Sequence, residues 1–338
     1  MMIINVTGVD GAGKSTLTTA LQKQLGWNRA HFTQPRDMAD GRQQYFNFLA
    51  NTRKDVITDR LHEGEWIYAP LYRGYTPTYL QEFELALVKN HNYLMVHVTA
   101  SPQEILRRTR GRGEDFVPEH DFAKIRLGFE TFLQQQTLPW VEVDTSSTSS
   151  TSIENHVARI ITAQATVGKI WQQVRGCIHR DCCTQIFDPA LPSGNLQPTY
   201  FVIGQNPGGR DKRPHSTAFN DGPTSQFLRE VMIEAGVLRE SWLTNSMLCP
   251  SVDNKVSRAG VQRCDHHLRL QLELLQPKVV VILGRSTAEF IDPWVSANFS
   301  IVELLHPTYV RRFLSKQRDE YVDTWKKIER VFNCDQRT

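Results

Sequence analysis

No stretch of this chain approaches the roughly 18 consecutive apolar residues that a membrane helix needs. The longest clear run, Val279–Leu283, has the length of a strand. Met1–Val6 carries neither a basic region nor a signal-type cleavage site, so a cytoplasmic location and no membrane partner are expected. A dominant charge of one sign is missing as well: 39 Lys and Arg against 36 Asp and Glu leave a net charge of +3. That balance excludes a polybasic nucleic-acid binder, and any nucleic-acid contact must come from local patches. Cysteine is absent from the first 176 residues, whereas five of the six lie between Cys177 and Cys264. Such clustering in a large cytoplasmic chain argues against a disulfide scaffold and for a metal site in the second half.

What is present suits folded protein: 22% charged and 40% hydrophobic residues exclude disorder, and 338 residues imply two domains. The first half alternates in the manner of an α/β domain. Strands are predicted over Met2–Thr7, Ala30–Thr33, Val56–Thr58, Tyr93–Val98 and Leu138–Val143, with helices over Lys14–Leu25 and Ile153–Ala163. The low-complexity run Asp144–Ser152 is expected to be a loop inside the first domain, because the sheet still needs a helix to cover it. The domains are then 1–165 and 170–332. The second half alternates again, with strands over Tyr200–Ile203, Trp242–Thr244, Val279–Leu283 and Ile301–Leu304. Helices are expected near 224–236, 257–275 and 309–331, and no internal repeat joins the halves.

Gly8-Val9-Asp10-Gly11-Ala12-Gly13-Lys14-Ser15 fits G-x-x-x-x-G-K-[ST] in full, after a buried strand and at the start of a helix. Its glycines let backbone N–H groups point inward and cradle phosphates at a helix N-terminus. Lys14 would reach the β- and γ-phosphates of ATP, and Ser15 would hold Mg²⁺. Asp59-Arg60 follows a strand, so Asp59 is placed as a general base toward an acceptor hydroxyl or as a metal partner, and Arg60 as a phosphate clamp. Arg107, Arg108, Arg110 and Arg112, with Gly111 and Gly113 among them, suit a basic lid that neutralises charge on a transferred phosphoryl group.

Residues 3–163 resemble the thymidylate kinase and deoxynucleoside kinase group of P-loop kinases. Gly8–Thr16, Phe32-Thr33-Gln34-Pro35, Asp59-Arg60 and the arginine-rich segment carry the resemblance, and Glu65–Gly74 is similar to virus-encoded relatives. The resemblance implies ATP and Mg²⁺ as cofactors and a nucleotide substrate. It assigns Gly8, Asp10, Gly11, Ala12, Gly13, Lys14, Ser15 and Thr16 to the ATP phosphates, and Arg60, Arg73 and the lid arginines to steadying them. Where that group carries an acidic residue before the proline of its second-strand loop, this chain has Gln34-Pro35-Arg36. A viral origin would make the host cytoplasm the place of action.

In the second half, Cys249 and Cys264 have fourteen residues between them, with Cys177, Cys182 and Cys183 upstream. Four thiolates from separated segments suit an iron–sulfur cluster better than a zinc ribbon built on two tight pairs. Gly204-Gln205-Asn206-Pro207-Gly208, Asn245 and His306-Pro307-Thr308 each follow a predicted strand, where an open α/β sheet keeps its ligand crevice. One amide can read the edge of a pyrimidine, a second can position water, and a histidine can stabilise negative charge on a departing base.

Residues 171–330 resemble the uracil-DNA glycosylase superfamily, closest in layout to its iron–sulfur branch. The resemblance rests on Gly204–Gly208, Leu243-Thr244-Asn245 followed by Cys249, Cys264, Pro277–Gly284 and His306–Arg311. It implies an α/β/α sandwich in which Gln205 and Asn206 line the base pocket, Asn206 orients water and Asn245 recognises the base edge. His306 would serve the leaving group or anchor the base. A [4Fe-4S] cluster would be held by Cys177, Cys249, Cys264 and one of Cys182 or Cys183, with His179 able to intrude. Arg210, Lys212, Arg213, Arg311 and Arg312 would hold DNA, from which the nucleotide is flipped.

The fold class implied is α/β in two domains, a P-loop kinase sheet and a glycosylase-like sandwich. The pairing supports three expectations. In the first, the kinase phosphorylates the hydroxymethyl group of 5-hydroxymethyluracil in DNA, as viral kinases of the thymidylate-kinase type do, and the glycosylase-like half binds the base. In the second, a deoxynucleoside monophosphate kinase is fused to an active uracil-DNA glycosylase. In the third, the second half is a non-catalytic DNA-docking module.

Overall fold

The computed structural model describes residues 1–110, 119–147, 149–177, 188–208, 217–220, 222–251 and 256–334. The chain divides into two compact units, Met1–Gly168 and Lys169–Thr338. Arg112, His179, Cys182, Cys183, Arg210, Lys212 and Arg213 lie outside the described residues.

In the first unit, β1 (Met2–Thr7) and β4 (Asn92–Thr99) are apolar through most of their length, as parallel strands covered on both faces must be. β1 pairs in parallel with β4 on one side and with β3 (Val56–Asp59) on the other. β2 (Asn28–His31) adds an exposed edge beyond β3, and β5 (Trp140–Asp144) closes the far side, giving the order β2-β3-β1-β4-β5. Between the strands run α1 (Lys14–Leu25), α2 (Met38–Asn51), α3 (His62–Tyr68), α4 (Leu80–Asn90), α5 (Pro102–Arg110) and α6 (Phe122–Gln135). The carboxyl ends of β1 and β3 are neighbours, which brings Gly8 and Asp59 to one edge of the sheet.

α7 (Ser150–Arg175) replaces the shorter helix expected over Ile153–Ala163. Thr166, Val167 and Gly168 are weak helix formers, but the apolar period continues through Ile160, Val167, Trp171 and Val174, all buried. Tertiary burial thus carries the helix past the point where propensity ends it. β2 also lies two residues earlier than expected, because register against β3 fixes it at Asn28↔Val56 and His31↔Asp59.

The second unit has a five-stranded sheet of order β10-β9-β7-β8-β6. Its strands are β6 (Ser193–Gly194), β7 (Tyr200–Gly204), β8 (Ser241–Asn245), β9 (Val279–Leu283) and β10 (Ile301–Leu304). All pairs are parallel except β6 with β8. α8 (Pro223–Glu234), α9 (Arg258–Leu275), α10 (Arg285–Ala288), α11 (Pro293–Asn298), α12 (Pro307–Phe313) and α13 (Arg318–Cys334) complete it. Val202, Leu243 and Val281 of the sheet share one core with Leu228 and Met232 of α8 and Trp325 of α13. The single helix expected over 309–331 is two. Ser315-Lys316-Gln317 offers no apolar residue to continue the buried stripe, and a 3₁₀ turn there separates α12 from α13. Among the described residues, no helix is long and apolar enough to cross a membrane.

Candidate nucleotide and base sites

The first site grows from the turn between β1 and α1. Gly13 opens α1 at φ 91, and a Cβ on Gly8 would run into the Val98 carbonyl, so both positions require glycine. Lys14 is only 6% exposed, and its Nζ donates to Val9 O at 2.7 Å and to Asp10 Oδ1 at 3.2 Å. Burial pulls its pKa down to about 8. Burial is also the largest influence on Asp10 and pushes it up, but Lys14 and Arg60 together outweigh it and hold the carboxyl low. Ser15 lines the same cavity, which has a volume of about 700 Å³, and Thr16 follows it, exposed, in the first turn of α1.

Asp59 is the last residue of β3, buried, and paired with Arg29 of β2; His31 Nδ1 lies 4.0 Å from it. Arg60 has a left-handed backbone, φ 66, and its N–H donates to Val6 O at 3.0 Å while its guanidinium pairs with Asp10. After α3 a π-helical turn, Ala69–Arg73, ends on Arg73. Its Nη1 lies 2.8 Å from Glu65 Oε2 and 3.5 Å from Pro35 O. Glu65 also accepts a hydrogen bond from Tyr75, and burial raises its pKa.

Of the lid arginines, Arg107, Arg108 and Arg110 end α5. Arg107 is exposed on Glu104. Arg108 instead braces the phosphate loop: it donates to Glu104 at 2.7 Å, Gly11 O at 3.1 Å and Thr145 O at 2.6 Å. Thr145 Oγ1 in turn donates to Ala12 O at 2.6 Å. Sequence reading passed over Arg29 and Thr145, whose partners are set by tertiary contacts across 30 and 133 residues, and gave no role to Glu65. The cavity, the buried ammonium and the exposed Ser15 hydroxyl at a helix start fit a nucleoside triphosphate with Mg²⁺.

The second site lies at the carboxyl ends of β7 and β8, where Gly204 and Asn245 are partners in register. Asn245 is 4% exposed. A Cβ on Gly204 would strike the Phe219 ring and come within 2.6 Å of Asn245 Oδ1, so an aromatic face and an amide converge there. Phe219 holds a left-handed backbone, φ 54. Gln205 O accepts from Met247 N at 3.0 Å and Ser246 Oγ at 2.8 Å, tying the two strand ends together. Asn206 Nδ2 donates to Ser251 Oγ at 3.0 Å and Pro207 O at 3.1 Å, which leaves its carbonyl oxygen as acceptor. Phe219 and Ser251 escaped sequence reading, since neither sits in a motif.

His306 caps α12, its Nδ1 accepting from Thr308 N at 3.2 Å. Burial lowers its pKa and favours the neutral ring, and the hydrogen bond accepted at Nδ1 puts the proton of that ring on Nε2. Thr308 is bridged to Thr224 of α8 at 2.9 Å. Arg311 and Arg312 fall in the last turn of α12.

Cys249 and Cys264 are buried and Cys177 is half-buried, and no disulfide joins any two of them. Among the described residues, no three His, Cys, Asp or Glu side chains come together as a metal-ligand set. The three described cysteines therefore do not form a cluster site by themselves.

Residues 191–329 match the family model for the uracil DNA glycosylase superfamily. The first unit is an α/β domain with a phosphate-loop sequence, and the second unit holds the region that matches that family model. The chain is 27% identical over 157 residues to the type-4 uracil-DNA glycosylase of Archaeoglobus fulgidus, covering 40% of this chain and 77% of that protein. It is 25% identical over 167 residues to the SPbeta prophage-derived protein YorR of Bacillus subtilis, covering 48% of this chain and 99% of that one. Among solved structures, YorR in complex with phosphorylated GDP is similar at 20% identity and a TM-score of 0.41, over 48% of this chain and 97% of that one. Deoxyadenosine kinase from M. mycoides is similar at 18% identity and a TM-score of 0.37, over 48% of this chain and 99% of that one.

Proposed function

We propose that the protein is an ATP-dependent phosphotransferase whose acceptor is the hydroxymethyl group of 5-hydroxymethyluracil in DNA, with the second unit binding the base. The observation that carries this reading is the presence, on one chain, of a phosphate cradle with a buried strand-end carboxylate and of a base pocket with a buried amide. In the reaction the acceptor hydroxyl oxygen bonds to the γ-phosphorus, the bond from that phosphorus to the ADP oxygen breaks, and the hydroxyl proton passes to Asp59. Arg29 orients Asp59, Lys14 meets the phosphates, and Ser15 would hold Mg²⁺, which would neutralise charge on them. Gly8, Gly11, Ala12, Gly13 and Thr16 shape the cradle, and Asp10, Arg60 and Arg73 set its charge. The lid arginines Arg107, Arg108, Arg110 and Arg112 serve the transferred group directly or, for Arg108, through the loop it braces.

Transfer of labelled γ-phosphate from ATP tests this, comparing DNA containing 5-hydroxymethyluracil with free deoxythymidine and 5-hydroxymethyldeoxyuridine monophosphates. Label is expected in the DNA and none with Lys14→Ala. Label confined to free nucleotides would make the protein a pool kinase and overturn the DNA acceptor.

A second reading, an active glycosylase beside the kinase, is favoured by the neutral Nε2–H of His306 and by the Asn206 carbonyl left as acceptor. Release of free base from uracil-containing DNA, lost in Asn206→Ala, is its test. Without such release the second half is a docking module.

An iron–sulfur cluster on Cys177, Cys249, Cys264 and one of Cys182 or Cys183 belongs to the proposal on its donor set of thiolates. Ala190 N donates to Leu248 O at 2.8 Å, next to Cys249. No chemical step passes through a cluster. Iron and sulfide in anaerobically purified protein are expected; a colourless, iron-free protein would remove the cluster and leave the kinase intact.

A further inference from the structure

The cavity of the first unit is electrically balanced among its described residues. Its lysine and arginines are Lys14, Arg60 and Arg73, matched in number by the carboxylates Asp10, Asp59 and Glu65. Lys14 and Arg60 share Asp10, and Asp59 is held by Arg29. The phosphates of ATP compete for the end of the cavity where Lys14 lies. Another part of the wall includes Pro35, Tyr45, Glu65 and Arg73, and its cation is not available. Arg73, 10% exposed, lies on the carboxylate of Glu65, which is 1% exposed, and over the ring of Tyr75 at 5.8 Å.

A phosphate monoester carries close to two negative charges near neutral pH. Binding one on this wall would draw Arg73 away and strand a buried carboxylate beside the incoming anion. An uncharged hydroxyl asks for no such rearrangement, because Asp59 alone can receive its proton.

We infer that the acceptor wall admits an uncharged, hydroxyl-bearing pyrimidine and rejects phosphate monoesters, and that Glu65 is the residue that sets this selectivity by neutralising Arg73. The inference rests on the phosphotransfer reading above and specifies its acceptor. A hydroxymethylated base in DNA meets the condition, as does the sugar hydroxyl of a free nucleoside; a nucleoside monophosphate phosphorylated on its phosphate does not.

Labelled ATP is supplied with four acceptors: an oligonucleotide containing 5-hydroxymethyluracil, 5-hydroxymethyldeoxyuridine, thymidine, and thymidine 5′-monophosphate. The first against the next two separates DNA from free nucleoside as the source of the hydroxyl. In the wild-type protein, kcat/KM on thymidine monophosphate is expected at least about tenfold below that on the best uncharged acceptor. Glu65→Gln keeps the shape and removes the charge, and is expected to narrow that ratio by about tenfold through a lower KM for the monophosphate. A wild-type protein that uses the monophosphate as well as any uncharged acceptor overturns the inference but leaves phosphotransfer standing. If Glu65→Gln does not fold, that wild-type comparison decides alone. No label in any acceptor, with ATP bound, would overturn the phosphotransfer reading and the inference with it.

Discussion

Lys14 shows how much one buried charge reports. Its ordinary pKa of 10.5 is brought to about 8 by burial, against the pull of Asp10. Between those values the folded chain holds fewer protons than the unfolded one, so stability rises with pH there. Below about pH 8 the cost of the buried ammonium is fully present. Anionic phosphates favour the charged form, so ATP binding near pH 8 is expected to take up a proton and to weaken as pH rises from about 7 to 9. Calorimetry in buffers of different ionisation enthalpy reads the proton directly; pH-independent affinity without uptake would contradict the assignment. At the other site, His306 is expected as the Nε2–H tautomer, neutral below its ordinary pKa of 6.5, because burial and the Thr308 N–H both disfavour a proton on Nδ1. Nitrogen chemical shifts of the labelled imidazole check this. Lys14 and His306 were legible in the sequence because each belongs to a short motif tied to a strand end. Arg29, Glu65 and Phe219 were not, since what makes them matter is a neighbour reached through the fold.

At the scale of elements, α3 is the part of the first unit that burial makes most costly. His62 and Glu63 are fully buried; His62 Nε2 meets Glu84 at 3.0 Å, and Asn5 of β1 donates to Glu63 at 2.7 Å. Burial is the largest influence on His62 and pulls its pKa down, but Glu84 and Glu63 together carry it above 6.5. The sign follows: the stabilisation is complete below about pH 6.5 and is lost as pH rises through the raised value. His62→Ala leaves Glu63 without its cation and is expected to cost about 3–5 kcal/mol, with the largest loss at the acidic end of a melting series. On the second unit, α12 carries Tyr309 and Phe313, their ring centroids 5.5 Å apart and Phe313 71% exposed, next to Arg311 and Arg312. If that ring is a stacking face for a base, Phe313→Ala weakens single-strand DNA binding by about 1–3 kcal/mol. Fluorescence anisotropy measures it, and unchanged affinity would exclude the role. The ends of α7 and the break before α13 were illegible for a common reason: burial across the fold, not local propensity, decides where those helices stop.

For the whole molecule, the question is whether two sites on one chain serve one substrate. The alternating pattern of both halves was readable because parallel strands buried on both faces are apolar runs, and the carboxyl ends of those runs hold or lead into Gly8, Asp59, Gly204 and Asn245. A net charge of +3 supplies no strong general attraction for DNA, so capture must come from the pocket and from local patches. If the second unit presents a base to the kinase, removing the amide that reads the base must lower transfer to DNA more than transfer to a free nucleoside. Asn245→Ala deletes that amide, and loss of an edge-reading pair costs about 1–3 kcal/mol. The ratio of DNA to nucleoside labelling is therefore expected to fall roughly ten- to a hundredfold. Lys14→Ala, by contrast, abolishes both. An Asn245→Ala protein that labels DNA and nucleoside in the wild-type ratio would mean that the second unit takes no part in choosing the acceptor, whatever else it does to DNA.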